Sequence, residues 1–127
     1  MATYFYMRIS TKESNDKQSF QRQDKALNKY ATDNGLDYNN RTVYQDDISG
    51  STFDRDDWKS LEGILQANDT IVFKEISRFT RQAEEGYNKY MELLDKGVNL
   101  VFLDNPTVSS DYIKHPAPPA TRDKTIN

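Results

Sequence analysis

The chain has 127 residues with a formal net charge of -3, and its 35% hydrophobic content against 29% charged leaves apolar material for one core, so a single domain is expected. No run approaches the roughly 18 apolar residues of a membrane span and no charged-then-apolar leader opens the chain, so a cytoplasmic protein with no membrane partner is expected. Zero cysteines and a single histidine, His115, argue against disulfides, thiolate or His-based metal sites and a Ser-His-Asp triad, while the acidic balance argues against gripping a polyanion by blanket electrostatics.

The aromatic-rich stretch 3–9 reads as a strand, and the polar stretch 10–16 as a loop. Residues 17–34 carry Phe20, Ala26, Leu27, Tyr30 and Ala31 at three- and four-residue spacing, with Gly35 placed to stop a helix. A short strand at 41–45 leads into the loop "DDISGSTFDRDD", and Trp58, Leu61, Ile64 and Leu65 mark a second helix. "TIVFKEI", 70–76, has the β-branched character of a buried strand. Residues 77–97 read as one continuous helix with Phe79, Ala83, Tyr87, Tyr90, Met91 and Leu94 inward, and "VNLVFL", 98–103, as a fourth strand. The alternation predicts an α/β domain of three layers, a mostly parallel central sheet flanked by helices on both faces through right-handed crossovers. Residues 114–127, within a stretch holding all four prolines, are taken as a Pro-rich tail outside the domain.

Ligands of such sheets sit beyond the carboxyl ends of the strands. At the first end Arg8 and Ser10 are two apart and share a face. After the 70–76 strand come Ser77, Arg78 and Arg81, the two arginines three apart on one side of a first helical turn, where positive charge is disfavoured unless an anion is near. The 46–57 loop adds Ser49 and Arg55 in a segment able to close over a site. A hydroxyl among guanidinium groups suits transfer of a phosphodiester to Ser10, because phosphoryl transfer needs positioning and charge neutralisation above all. The residues equally allow Arg8 and Arg78 to pair with some of the 20 acidic side chains while Ser10 caps a turn.

"YMRIST", "QSFQRQ", "DDISGSTFDR", "VFKEISRFTR" and "LVFLDNP" together resemble, in order, the successive signatures of the serine recombinase catalytic domain, the group of resolvases, invertases and large serine integrases. "SRFTR" is more similar to the large integrase branch. The resemblance covers about 3–113 and implies a resolvase-like domain over 1–113. It implies that Ser10 attacks a DNA phosphate to form a 5′-phosphoserine link and release a 3′ hydroxyl, with Arg8, Arg78 and Arg81 neutralising the phosphate and Arg55 assisting. Gln18, Gln23 and Ser49 match supporting positions of the family. No metal, nucleotide or other cofactor is implied. Two departures stand out. Small resolvases carry an Asp, a candidate for proton handling, where this chain has Ser77, so Glu75 is a substitute candidate. Family members also continue into a long helix for dimer and synaptic contacts and then a separate DNA-binding domain, which is absent here.

The resemblance therefore implies a site-specific recombinase or integrase of a bacterial or phage-borne mobile element, a homo-dimer or tetramer at full length, with this part alone binding DNA weakly and inactive in recombination. Two other readings remain open. One is a catalytically silent DNA-associated regulatory module, and the other an unrelated flavodoxin-like ligand-binding domain. Tyr4, Tyr6, Tyr87 and Tyr90 are read as packing residues.

Overall fold

The computed structural model describes residues 1–9, 16–47, 55–80 and 82–110, with the backbone alone at 16–18. Four strands, β1 (Thr3–Ile9), β2 (Val43–Asp47), β3 (Thr70–Phe73) and β4 (Asn99–Phe102), form a sheet in the order β2-β1-β3-β4 with every neighbouring pair parallel. Four helices connect them: α1 (Asp16–Asp33), α2 (Asp56–Ile64), α3 (Ile76–Phe79) and α4 (Ala83–Asp95). A short 3-10 turn, Pro106–Val108, follows β4.

The period-two alternation of β1 divides the core. Phe5 and Met7 pack with Leu27 and Ala31 of α1, whereas Tyr6 faces Trp58 and Leu61 of α2, Phe79 of α3 and Leu93 of α4. The second layer is mainly aromatic: Tyr6 meets Trp58 edge-on at 5.3 Å between centroids, and Phe73 stacks on Phe102 at 5.1 Å. Both faces of the sheet are thus covered, which explains why its strands read as nearly continuous apolar runs. Helix α1 ends where Gly35 adopts φ +65 and Leu36 N–H donates back to the Ala31 carbonyl at 2.8 Å, the left-handed stop that glycine permits.

Three expectations need correction. Strand β3 ends at Phe73, not at residue 76, and β2 runs Val43–Asp47 rather than 41–45. The stretch 77–97 is two helices, because Thr80 caps α3 in extended conformation and a new helix begins at Ala83. That break resets the helical phase. Gly86 and Leu93 of α4 are buried, while Ala83, Met91 and Tyr87 are exposed, Tyr87 by 65%.

Candidate active site

In the strand order β2-β1-β3-β4, successive connections leave β1 in opposite directions, so the carboxyl ends of β1 and β3 flank the crevice where such sheets bind ligands. β3 pairs with β1 only at Thr3, Tyr4 and Phe5. Beyond Phe73 the edge of β1 facing β3 has no strand partner, yet Arg8 directs its peptide groups there. Gln23 of α1 fills the gap. Its Oε1 accepts from Arg8 N–H at 3.2 Å and its Nε2 donates to the Arg8 carbonyl at 3.1 Å, so one carboxamide replaces a missing strand residue. Gln23 is wholly buried and also donates to the Ser19 carbonyl at 3.3 Å.

Arg78 reaches the same place from α3. Its Nη1 donates to the Arg8 carbonyl at 3.2 Å, its Nη2 to Ser19 Oγ at 2.8 Å, and its Nε to Glu75 Oε1 at 3.2 Å. Arg8 answers in the opposite direction, Nη2 donating to the Ser77 carbonyl at 2.9 Å. The ends of β1 and β3 are therefore cross-linked by two arginines, each holding the other's backbone segment. Arg8 is only 2% exposed, so this is no loose surface ion pair.

Arg55 departs from its expected place in a closing loop. It is the N-cap residue of α2, 1% exposed, with Nη2 donating to the Phe79 carbonyl at 3.2 Å and Nη1 to the Tyr6 hydroxyl at 3.4 Å. Ser77 meets Arg8 through its carbonyl, a contact open to any residue type. Glu75 does not continue a strand; it sits at the N-cap of α3, ion-paired with Arg78. Helix α3 ends at Phe79, so of the two arginines expected on one helical turn only Arg78 falls among the described residues. Ser10, Ser49 and Arg81 lie outside the described residues, and Gln18 where the backbone alone is described.

Two site residues escaped the sequence reading. Asp46 is opposite Arg8 in the register of β1 and β2. Its Oδ2 accepts from the Tyr6 hydroxyl at 2.5 Å and from Trp58 N–H at 3.0 Å, and its Oδ1 accepts from Asp57 N–H at 3.0 Å. One carboxylate thereby caps the start of α2, where negative charge is favoured, and orients Tyr6. Tyr6 is more than packing: burial first and the bond to Asp46 second push its phenol above the ordinary tyrosine value, so it stays a neutral donor beside Arg55. Strand parity was the available signal, since Tyr6 and Arg8 share the face that Asp46 must share in a parallel neighbour.

Among the described residues no group of three His, Cys, Asp or Glu side chains is placed to hold a metal ion, and no helix is long and apolar enough to cross a membrane. A groove of about 520 Å³ lies elsewhere, between α3 and α4, lined by Ile76, Phe79, Gly86, Tyr87, Met91 and Val108 among others. Its apolar walls do not suit a phosphate. The chemistry available at the switch point is anion binding by guanidinium groups held at fixed positions.

The family model described as "Resolvase, N terminal domain" matches residues 3–116. A curated protein named Resolvase from Clostridium perfringens (strain 13 / Type A) is 32% identical over 95 residues, which are 75% of this chain and 45% of that protein. The chain thus spans less than half the length of this relative. The N-terminal catalytic domain of TP901-1 integrase superimposes with a TM-score of 0.71 at 19% identity, covering 100% of this chain and 94% of that one. A resolvase family site-specific recombinase from Streptococcus pneumoniae gives 0.64 at 16%, covering 99% and 93%. The C-terminal catalytic domain of ISC1926 TnpA, an IS607-like serine recombinase, gives 0.63 at 23%, covering 81% and 70%. These structures share the fold.

Proposed function

Since the chain belongs to the resolvase N-terminal domain family, we propose that it is the catalytic domain of a site-specific DNA recombinase or integrase that cuts and rejoins DNA through a 5′-phosphoserine intermediate. The observation that carries this reading is the reciprocal clasp of Arg8 and Arg78 at the carboxyl ends of β1 and β3, two residues from Ser10 in sequence.

Ser10 Oγ attacks a backbone phosphorus, its proton passing to a base, and the bond from phosphorus to the 3′ oxygen breaks. The 3′ oxygen leaves as a hydroxyl after taking up a proton. One phosphate ester replaces another, so the bond energy is kept for religation by the reverse step. Arg8, Arg78, Arg81 and Arg55 neutralise charge on the equatorial oxygens. Gln18, Gln23 and Ser49 support the site, Gln23 through its clamp on Arg8. Ser77 acts through its backbone. Glu75 orients Arg78, a use that competes with the proton handling considered for it above. No cofactor takes part.

The catalytic domain spans 1–113, with 114–127 as a tail. The protein works in the cytoplasm on mobile DNA, as a homo-dimer or tetramer of the longer protein, a reading supported by the exposed apolar face around Tyr87 and Met91. The acidic balance supports weak DNA binding by this domain alone.

The test is the full-length gene product incubated with DNA from the flanks of its own gene and run on a denaturing gel beside Ser10→Ala. A protein-DNA adduct in the wild type that disappears in the variant is expected. Bound DNA with no adduct would instead favour the silent regulatory module.

A further inference from the structure

Helix α3 is four residues long, yet its backbone holds two of the three described arginines of the candidate site: the Ser77 carbonyl receives Arg8 and the Phe79 carbonyl receives Arg55. The third, Arg78, is part of it. A single turn of helix has little stiffness of its own, so something beyond it must set its position.

Phe79 seats α3 in the aromatic core and the Ile76 N–H bond to Asn105 Oδ1 at 3.0 Å ties its start, while the joint to α4 fixes its end. Thr80 caps α3, its N–H donating to the Ile76 carbonyl at 3.0 Å, and its Oγ1 both donates to the Gln82 carbonyl at 2.9 Å and accepts from Gln82 N–H at 3.1 Å. Gly86 N–H in turn donates to the Gln82 carbonyl at 2.9 Å. Thr80 lies directly on Gly86. A Cβ at position 86 would stand 2.2 Å from Thr80 Cγ2, 2.8 Å from its Cβ and 2.9 Å from its Oγ1. Rotating the Thr80 side chain could relieve the first contact at the expense of both bonds to Gln82. It cannot relieve the second, because the Thr80 Cβ moves only with the backbone.

We infer that Gly86 and Thr80 are positioning residues for the arginine cluster: the missing side chain at 86 is the notch that seats Thr80, and the seat fixes where α3 presents Arg8, Arg55 and Arg78. Gly86 costs α4 helical propensity, and the close approach of Thr80 is what requires it. The catalytic consequence rests on the function proposed above, whereas the geometric claim does not.

The experiment is a double-variant cycle with Gly86→Ala, Thr80→Gly and the pair together, since Thr80→Gly removes all three atoms that a Cβ at 86 would meet. Two readouts are taken. The first is the near-ultraviolet circular dichroism of Trp58, the single tryptophan of the 127-residue chain, whose ring lies 5.9 Å from Phe79 of α3. The second, in the full-length gene product, is the rate of adduct formation at saturating DNA together with DNA affinity.

Gly86→Ala is expected to change the Trp58 signal and slow adduct formation by about 10- to 100-fold with affinity unchanged, as for a remote change that misplaces catalytic groups. In the Thr80→Gly background the same substitution is expected to leave the signal and the rate within about 3-fold of Thr80→Gly alone, on the same misplacement scale. Should Gly86→Ala fail to fold, recovery of the folded Trp58 signal in the double variant supports the notch. A Gly86→Ala protein with wild-type signal and rate, or an effect of equal size in both backgrounds, would overturn it. If the wild-type gene product forms no adduct, the proposed function fails and the Trp58 readout still decides the joint.

Discussion

Asp46 concentrates several tasks in one carboxylate. It receives the Tyr6 hydroxyl and the N–H groups of Asp57 and Trp58, so Asp46→Ala strips the cap from α2 and leaves buried donors without their acceptor. A loss of about 2–4 kcal/mol is expected, a lost cap plus a buried unsatisfied group, read from urea unfolding. Tyr6 gives a pH signature. Folding holds its phenol above the ordinary value of 10.0, by burial and then by the Asp46 carboxylate, against a smaller opposing effect of Arg55. Below pH 10.0 both folded and unfolded states are protonated and the contribution is complete. Above it the unfolded phenol ionises first, the unfolded state binds fewer protons, and stability falls by up to about 1.4 kcal/mol per pH unit for this group. Tyr38, raised by burial and by Asp24, adds to the decline. Urea unfolding between about pH 9 and 11, a window set by the ordinary tyrosine value, should show a shallower decline for Tyr6→Phe than for the wild type; equal slopes would show that Tyr6 titrates normally.

At the scale of elements, β4 is the edge of the sheet and carries unpaired peptide groups that must be covered. Two serines cover them. Ser110 Oγ accepts from Leu100 N–H at 2.7 Å and donates to the Leu100 carbonyl at 3.2 Å, while Ser109 Oγ accepts from Phe102 N–H at 2.9 Å. Ser110→Ala should lower stability by about 1–3 kcal/mol and hasten amide exchange at Leu100, since a buried N–H then lacks an acceptor. A variant with unchanged exchange there would contradict this role. The strands and α1 were legible because their apolar residues follow periods of two and of three to four, and Gly35 marked a stop. The α3–α4 break was not, because no glycine or proline lies between Ser77 and Glu85 to announce it. The breaker is a threonine hydroxyl folding back onto Gln82, and the resulting phase change turned Tyr87 and Met91 outward.

For the whole molecule, the sheet order brings residues about 70 positions apart into one clasp, Arg78 on the carbonyl of Arg8. Strand-end reasoning located that neighbourhood from the sequence, since Arg8 and Arg78 each follow an apolar run. It could not show that the partners of these arginines are backbone carbonyls, because every residue type carries one. Nor could it find Asp46, whose contribution depends on register between β1 and β2. Arg8, Arg55 and Arg78, gathered at one crevice, allow a chain of net charge -3 to meet the phosphate proposed above. The most direct test is mass spectrometry of the covalent adduct formed by the full-length gene product, digested with nuclease and protease. The account predicts a nucleotide 5′-phosphate on the peptide containing Ser10. A nucleotide attached to any other residue, or joined through its 3′ end, would contradict it.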